Sequence, residues 1–225
     1  MVTRLAPDIH WIDLRGTNAY LVDDGGALTL VDTGMPWHRA SVAAAISSVG
    51  GSIGAVERVL ITHFDIDHVG GLNRLDGLDA TVYASPQTAK FLTRESRPPL
   101  DGHRGVMQRL FDVGRRAPSL PIESIDDGET VGSFTAYHTP GHTPGHTVFV
   151  SEERSVALLG DIVRESGGRL EPSGWLLSHD VSQVRESLTS LVERAPEFDI
   201  ACPGHGTPFT SEGSRRLAEA ARGEA

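Results

Sequence analysis

Ile61-Thr62-His63-Phe64-Asp65-Ile66-Asp67-His68-Val69-Gly70-Gly71 decides how this chain is read. It follows directly on Val59-Leu60-Ile61, an apolar run of the kind that forms a buried strand. Side chains two apart on an extended segment project the same way, so His63, Asp65 and Asp67 share one side. His68 then opens the next element, and Gly70-Gly71 lets the backbone turn closely around whatever those groups hold. Imidazoles and carboxylates at this density suit Zn²⁺ or a neighbouring first-row metal. A plain polar loop, with Asp67 capping a helix, is the competing reading. It loses ground once the later histidines are counted.

Ten histidines are present, and His63, His68, His138, His142, His146 and His205 fall in short motifs. His138, His142 and His146 recur at a spacing that would fit one helix face, but Pro140, Gly141, Pro144 and Gly145 forbid a helix. The segment therefore reads as a loop between strands at 133–137 and 147–150. Asp161 follows the apolar run 156–159, and His205 follows 199–202 within Pro203-Gly204-His205-Gly206. These groups stand at strand carboxyl ends, where open α/β sheets place their sites. Asp32 ends a strand over 27–31, and is read as supporting a ligand or capping the following helix rather than as a ligand itself. His38 is read as structural or as part of the rim rather than as a ligand.

Composition narrows the class. A 225-residue chain, 39% hydrophobic and 22% charged, is long enough for a sizeable core. The formal net charge of −10 argues against nucleic acid, which needs clustered Lys and Arg. The lone Cys202 excludes an internal disulfide and a cysteine metal cage. No apolar run is long enough to span a bilayer and the first residues form no apolar leader, so no membrane association and a cytoplasmic location are expected.

The motifs His63-x-Asp65-x-Asp67-His68, Thr-Pro-Gly-His142, Gly-Asp161 and Pro-Gly-His205-Gly, in this order, resemble the metallo-β-lactamase superfamily. The resemblance covers essentially the whole chain and implies a four-layer αβ/βα sandwich with two metals where two halves meet. It implies that His63, Asp65, His142 and Asp161 hold the first metal, and that Asp67, His68, His205 and the shared Asp161 hold the second. His138 and His146 then read as supporting or structural groups; His179 is assigned no role. The family's usual motif has histidine where this chain has Asp65. Three carboxylates in place of two make a weaker Lewis acid and favour harder ions, so Mn²⁺ or Fe²⁺ competes with the expected Zn²⁺.

The implied function is a metal-dependent hydrolase in which a metal-bound hydroxide, oriented by Asp67 between ions bridged by Asp161, attacks a small-molecule carbonyl. Esters, thioesters, lactones and β-lactams stay open. A non-haem iron oxidoreductase, favoured by Asp65, and a metal-binding protein without catalysis remain as alternatives. One domain over 1–225 is expected, with similar halves near 1–124 and 125–225. Helices are expected over 37–48, 69–76, from Pro86 to about residue 93, over 180–194 and over 211–222. Residues 97–124, broken by proline and glycine, read as an insert over the site, with Met107, Leu110 and Phe111 as candidate substrate contacts.

Overall fold

Two stacked sheets organise the molecule, and the alternation within single strands shows why. The first sheet runs β1 (Val2–Ala6), β2 (Ile9–Asp13), β3 (Asn18–Asp24), β4 (Ala27–Val31), β5 (Val56–Leu60), β6 (Thr81–Ala84) and β7 (Ile122–Ser124) in that spatial order. The second runs β14 (Ile200–Pro203), β11 (Val156–Gly160), β10 (Thr147–Ser151), β9 (Phe134–His138) and β8 (Thr130–Val131). This computed structural model describes residues 1–100, 102–112 and 116–223, without the side chains of 102–104 and 111.

In β3, Ala19 and Leu21 face one apolar cluster while Tyr20 and Val22 face another. In β11, Ala157 and Leu159 part in the same way from Val156 and Leu158. A strand with apolar residues on both faces must be covered on both, so each sheet lies between its partner sheet and a helical layer. Helices α1 (Arg39–Ser48) and α3 (Pro86–Thr93) cover the first sheet through Val42, Ile46, Phe91 and Leu92. Helices α5 (Val181–Arg194) and α6 (Gly213–Arg222) cover the second through Val184, Leu188, Leu191 and Leu217. The result is the αβ/βα sandwich.

Pairing is antiparallel from β1 to β4 and parallel from β4 to β7. The ends of β4, β5, β11 and β14 converge at one edge. There the Asn18 backbone N–H donates to Gly204 (2.8 Å), Tyr20 OH to Pro203 (2.6 Å) and the Thr147 N–H to Thr62 (2.8 Å), locking the two sheets together. Far from that edge, Arg154 of the second sheet pairs with Asp24 of the first at 3.1 Å.

Several elements depart from the sequence reading. The helix expected over 69–76 is instead one turn, α2 (Ile66–Val69), followed by a 3₁₀ turn at Leu72–Arg74. A side chain at Gly71 would collide with the Thr33 carbonyl, so the chain bends there to pack on the 33–36 loop. β7 joins the sheet, so the irregular segment ends before Ile122, and it carries a full helix, α4 (Gly102–Asp112). A small hairpin, β12 (Val163–Ser166) and β13 (Arg169–Pro172), follows Asp161. Among the described residues, no helix is long and apolar enough to cross a membrane.

Candidate metal centre

β5 runs out through Ile61 and Thr62 to His63, and the backbone stays extended at Asp65, the N-cap of α2. Asp65 makes no capping bond with its side chain, which turns to the sheet edge instead. The N-cap is thus Asp65, and Asp67 lies within the first turn. Two groups of side chains result, His63 with His142 and Asp161, and Asp67 with His68 and His205, each with ligand atoms within 4.8 Å of one another.

Asp161 stands between them. Its Oδ2 lies 2.9 Å from His205 Nε2, 3.6 Å from His142 Nε2 and 3.9 Å from His63 Nε2, and its Oδ1 lies 3.4 Å from His68 Nε2. Asp65 Oδ2 lies 3.3 Å from His63 Nε2 and 3.2 Å from His142 Nε2, beside the first group. Asp67 Oδ2 is 3.4 Å from His205 Nε2 and 3.7 Å from His68 Nε2. A β-carbon on Gly204 would overlap Asp161 Oδ1, so only glycine fits at that position.

The imidazoles are aimed from behind. Asp32, at the end of β4 with φ +55°, accepts from the Thr62 N–H (2.9 Å), from Thr62 Oγ1 (2.7 Å) and from His68 Nδ1 (2.7 Å). Thr62 spends its proton on Asp32, so at 2.9 Å from His63 Nδ1 it must accept, which puts the His63 proton on Nδ1. His68 and His63 therefore both turn Nε2 to the centre. His142 Nδ1 lies 3.0 Å from Ser173 Oγ, and His205 Nδ1 donates to the Gly16 carbonyl. His146 does not join them: its Nε2 accepts from the Asp161 N–H (3.0 Å) and its Nδ1 meets Thr139 Oγ1 (2.8 Å), so it steadies the backbone under Asp161. His138 Nε2 lies 3.0 Å from the Ile125 carbonyl, outside the groups.

The arrangement asks for cations. His63 Nε2, His68 Nε2 and Asp161 Oδ1 are buried and have no hydrogen-bond partner. Leaving such atoms unsatisfied is costly, and an ion coordinated by them removes the cost. Asp32 and Asp161 are both buried, and among the described residues their charged partners are histidines. Burial would raise the Asp161 carboxyl, but His68 and His205 outweigh it and hold it well below the usual range. Burial opposes charge on His68, yet the carboxylates of Asp161, Asp32 and Asp67 lift it well above its ordinary value. His142 is driven by burial down to about 4 despite its bond to Asp65, so near neutrality it is an uncharged donor. Divalent ions would replace the protons that now balance these carboxylates.

Of the expected substrate contacts, Met107 and Leu110 are 44% and 66% exposed, and neither lines the two described cavities beside the centre. The face of α4 turned inward carries Gly105, Gln108 and Asp112. The Phe111 side chain lies outside the described residues. Gln108, Thr62 and Ser173 support the centre and were not singled out in the sequence. Only Thr62, beside His63, offered a signal there.

Asp32→Ala should lower affinity for metal at the centre about tenfold or more, because supporting hydrogen bonds to metal ligands carry that much. It should also destabilise the fold by roughly 1–3 kcal/mol, since the Thr62 and His68 donors are left buried and unpaired. Chelator competition and denaturant unfolding measure the two, and an unchanged metal affinity would show that Asp32 only supports the fold.

The sequence model for the Metallo-beta-lactamase superfamily matches residues 12–205. A lactamase-like protein of Penicillium aethiopicum, vrtG, is 34% identical over 209 residues, covering 91% of this chain and 56% of its own length. YobT of Bacillus subtilis (strain 168), an uncharacterized protein, is 27% identical over 218 residues, covering 90% and 88%. The chain thus spans nearly all of the Bacillus protein but only about half of the fungal one. A Cronobacter sakazakii metallo-β-lactamase with a HARLDQ motif superposes with a TM-score of 0.74 at 19% identity, over 99% of this chain and 92% of that one. With the family's pattern running from β2 through His205, the chain belongs to the metallo-β-lactamase superfamily.

Proposed function

We propose that this chain is a metal-dependent hydrolase of small carbonyl substrates: esters, thioesters, lactones or β-lactams. The observation that carries the reading is Asp161, a buried carboxylate of the first group that also lies 3.4 Å from His68 and 2.9 Å from His205 of the second, while His63 Nε2 and His68 Nε2 are buried and unpartnered. Two divalent ions, Zn²⁺ first and Mn²⁺ or Fe²⁺ in view of Asp65, would be held by His63, Asp65, His142 and Asp161 and by Asp67, His68, His205 and Asp161. When bound, such ions supply Lewis acidity toward a carbonyl oxygen and make water at the centre easier to ionise.

The remaining work falls to the chain. Asp67 is half-buried at the mouth, where its Oδ2 can orient water and take up its proton. The mouth is a cavity of about 360 Å³ whose walls include Val163, Leu177 and Arg164. Its apolar side excludes bulk water, and the Arg164 guanidinium, 3.3 Å from Glu171, can meet an anionic group on a substrate. A second cavity of about 600 Å³ under α4, floored by Phe64, Val69, Leu72 and Leu92, has room for an apolar arm. Both volumes suit a small molecule rather than a polymer.

Purified protein should contain metal, turn over at least one member of an ester, thioester and lactone panel, lose turnover on chelation, and regain it on adding Zn²⁺ or Mn²⁺. Turnover that survives complete metal removal would overturn the reading. Asp65 Oδ2 facing two imidazoles also favours a second reading, an iron oxidoreductase. Iron in the purified protein together with oxygen consumption would select it.

A further inference from the structure

Gln108 is 4% exposed, although it comes from a helix that lies over the sheet edge. Its Nε2 lies 2.6 Å from Asp65 Oδ1 and 2.8 Å from the Phe64 carbonyl, and its Oε1 lies 3.0 Å from His179 Nε2. Both partners on the first side are acceptors, so the NH₂ group must face them, and the Oε1 then receives the His179 N–H. Each polar atom of the amide is thereby used, and the carboxamide is fixed in one orientation. With Oδ1 of Asp65 held from behind, Oδ2 is left pointing at His63 and His142.

We propose that Gln108 is a positioning residue for the first metal group, aiming Asp65 from α4, so that docking of α4 and metal occupancy of that group favour each other. The proposal rests on the reading of Asp65 as a ligand. The linkage is reciprocal: a cation on Oδ2 fixes the carboxylate to which Gln108 binds, and Gln108 pre-orients the carboxylate for the cation. Asp67, His68 and His205 of the second group are held instead through Asp32, Asp161 and the Gly16 carbonyl, so Gln108 acts on that group less directly.

The test is a Co²⁺ titration of the full chain, read by the visible absorption of the bound ion, with Gln108→Met as the variant that keeps length and loses the donors. One of two binding steps should weaken about 10- to 100-fold and the other stay within about twofold. In an Asp65→Ala background the same substitution should change neither step, because Gln108 acts through that carboxylate. Added Co²⁺ should slow proteolysis between residues 97 and 118 in the parent and much less in Gln108→Met. His179→Ala, which removes the outer bond, should show the same pattern more weakly, and serves if Gln108→Met fails to fold. Unchanged Co²⁺ steps, or an equal effect with and without Asp65, would overturn the proposal while leaving the hydrolase reading standing. A chain that binds no Co²⁺ would overturn both.

Discussion

Asp161→Ala is expected to strip metal from the centre and to abolish turnover. This carboxylate lies within 4 Å of imidazoles from both groups, 2.9 Å from His205 on one side and 3.6 Å from His142 on the other. Its removal would take a shared negative charge from any cations held by the two groups. Lewis-acid stabilisation is worth several kcal/mol, so loss of ions should lower kcat/KM by about a thousandfold or more. Asp161→Asn keeps the shape and the Gly204 contact but not the charge, and should be nearly as damaging.

The electrostatics make a companion statement about pH. Asp161 holds His68 and His205 above their ordinary pKa, so near neutrality a binding metal must displace protons from these rings. Apparent metal affinity in the parent should rise with pH until it passes those raised values. In Asp161→Ala that dependence should shift to lower pH, since the partner that retained the protons is gone. Metal stoichiometry by elemental analysis and affinity at several pH values measure both effects. Retention of two ions and of turnover would show that the groups are bridged by something else.

The candidate ligands were legible because each follows an apolar strand within a few positions. His63, Asp161 and His205 needed only the strand ends to be found, and the four motifs identified the family that the sequence comparison shows. Pro140 and Gly141 told that His142 belongs to a loop, and the structure carries it between β9 and β10. What stayed hidden was support from afar. Gln108 is 43 positions from Asp65 and is not a residue type that signals a metal site. The sequence reading placed Met107, Leu110 and Phe111 as candidate substrate contacts in an insert over the site. Here the helix lies over a carboxylate and a backbone carbonyl, so the amide goes inward and Met107 and Leu110 face out. The helix expected over 69–76 failed for a related reason: its glycines serve close contact with the 33–36 loop, which only the folded chain reveals. The hairpin β12–β13, which brings Ser173 to His142, likewise carries no alternation long enough to read.

Asp65→His should restore the family's usual ligand type at that position and change both metal preference and pH behaviour. With Asp65 as a ligand, the substitution removes one negative charge and adds a softer nitrogen donor, so preference for Zn²⁺ over Mn²⁺ should rise on the order of a hundredfold at the first group. The acidic limb of the pH–rate profile should move to lower pH, because water beside a more positive centre ionises more easily. The structure adds a cost. An imidazole that binds metal through Nε2 carries its proton on Nδ1, so it offers a donor where Asp65 Oδ1 accepts from Gln108. The Gln108 amide would then have to flip, setting its Oε1 against the Phe64 carbonyl and turning its NH₂ to a His179 ring that must change tautomer to accept. Zinc should therefore bind more tightly while α4 is held less firmly, and protease should cut the segment between 97 and 118 faster in Asp65→His than in the parent. If the parent holds one ion and the variant two, the carboxylate is too weak a ligand and the imidazole has completed the group. Metal content and pH profile that match the parent in every respect would place Asp65 outside the centre, despite its approach to His63 and His142.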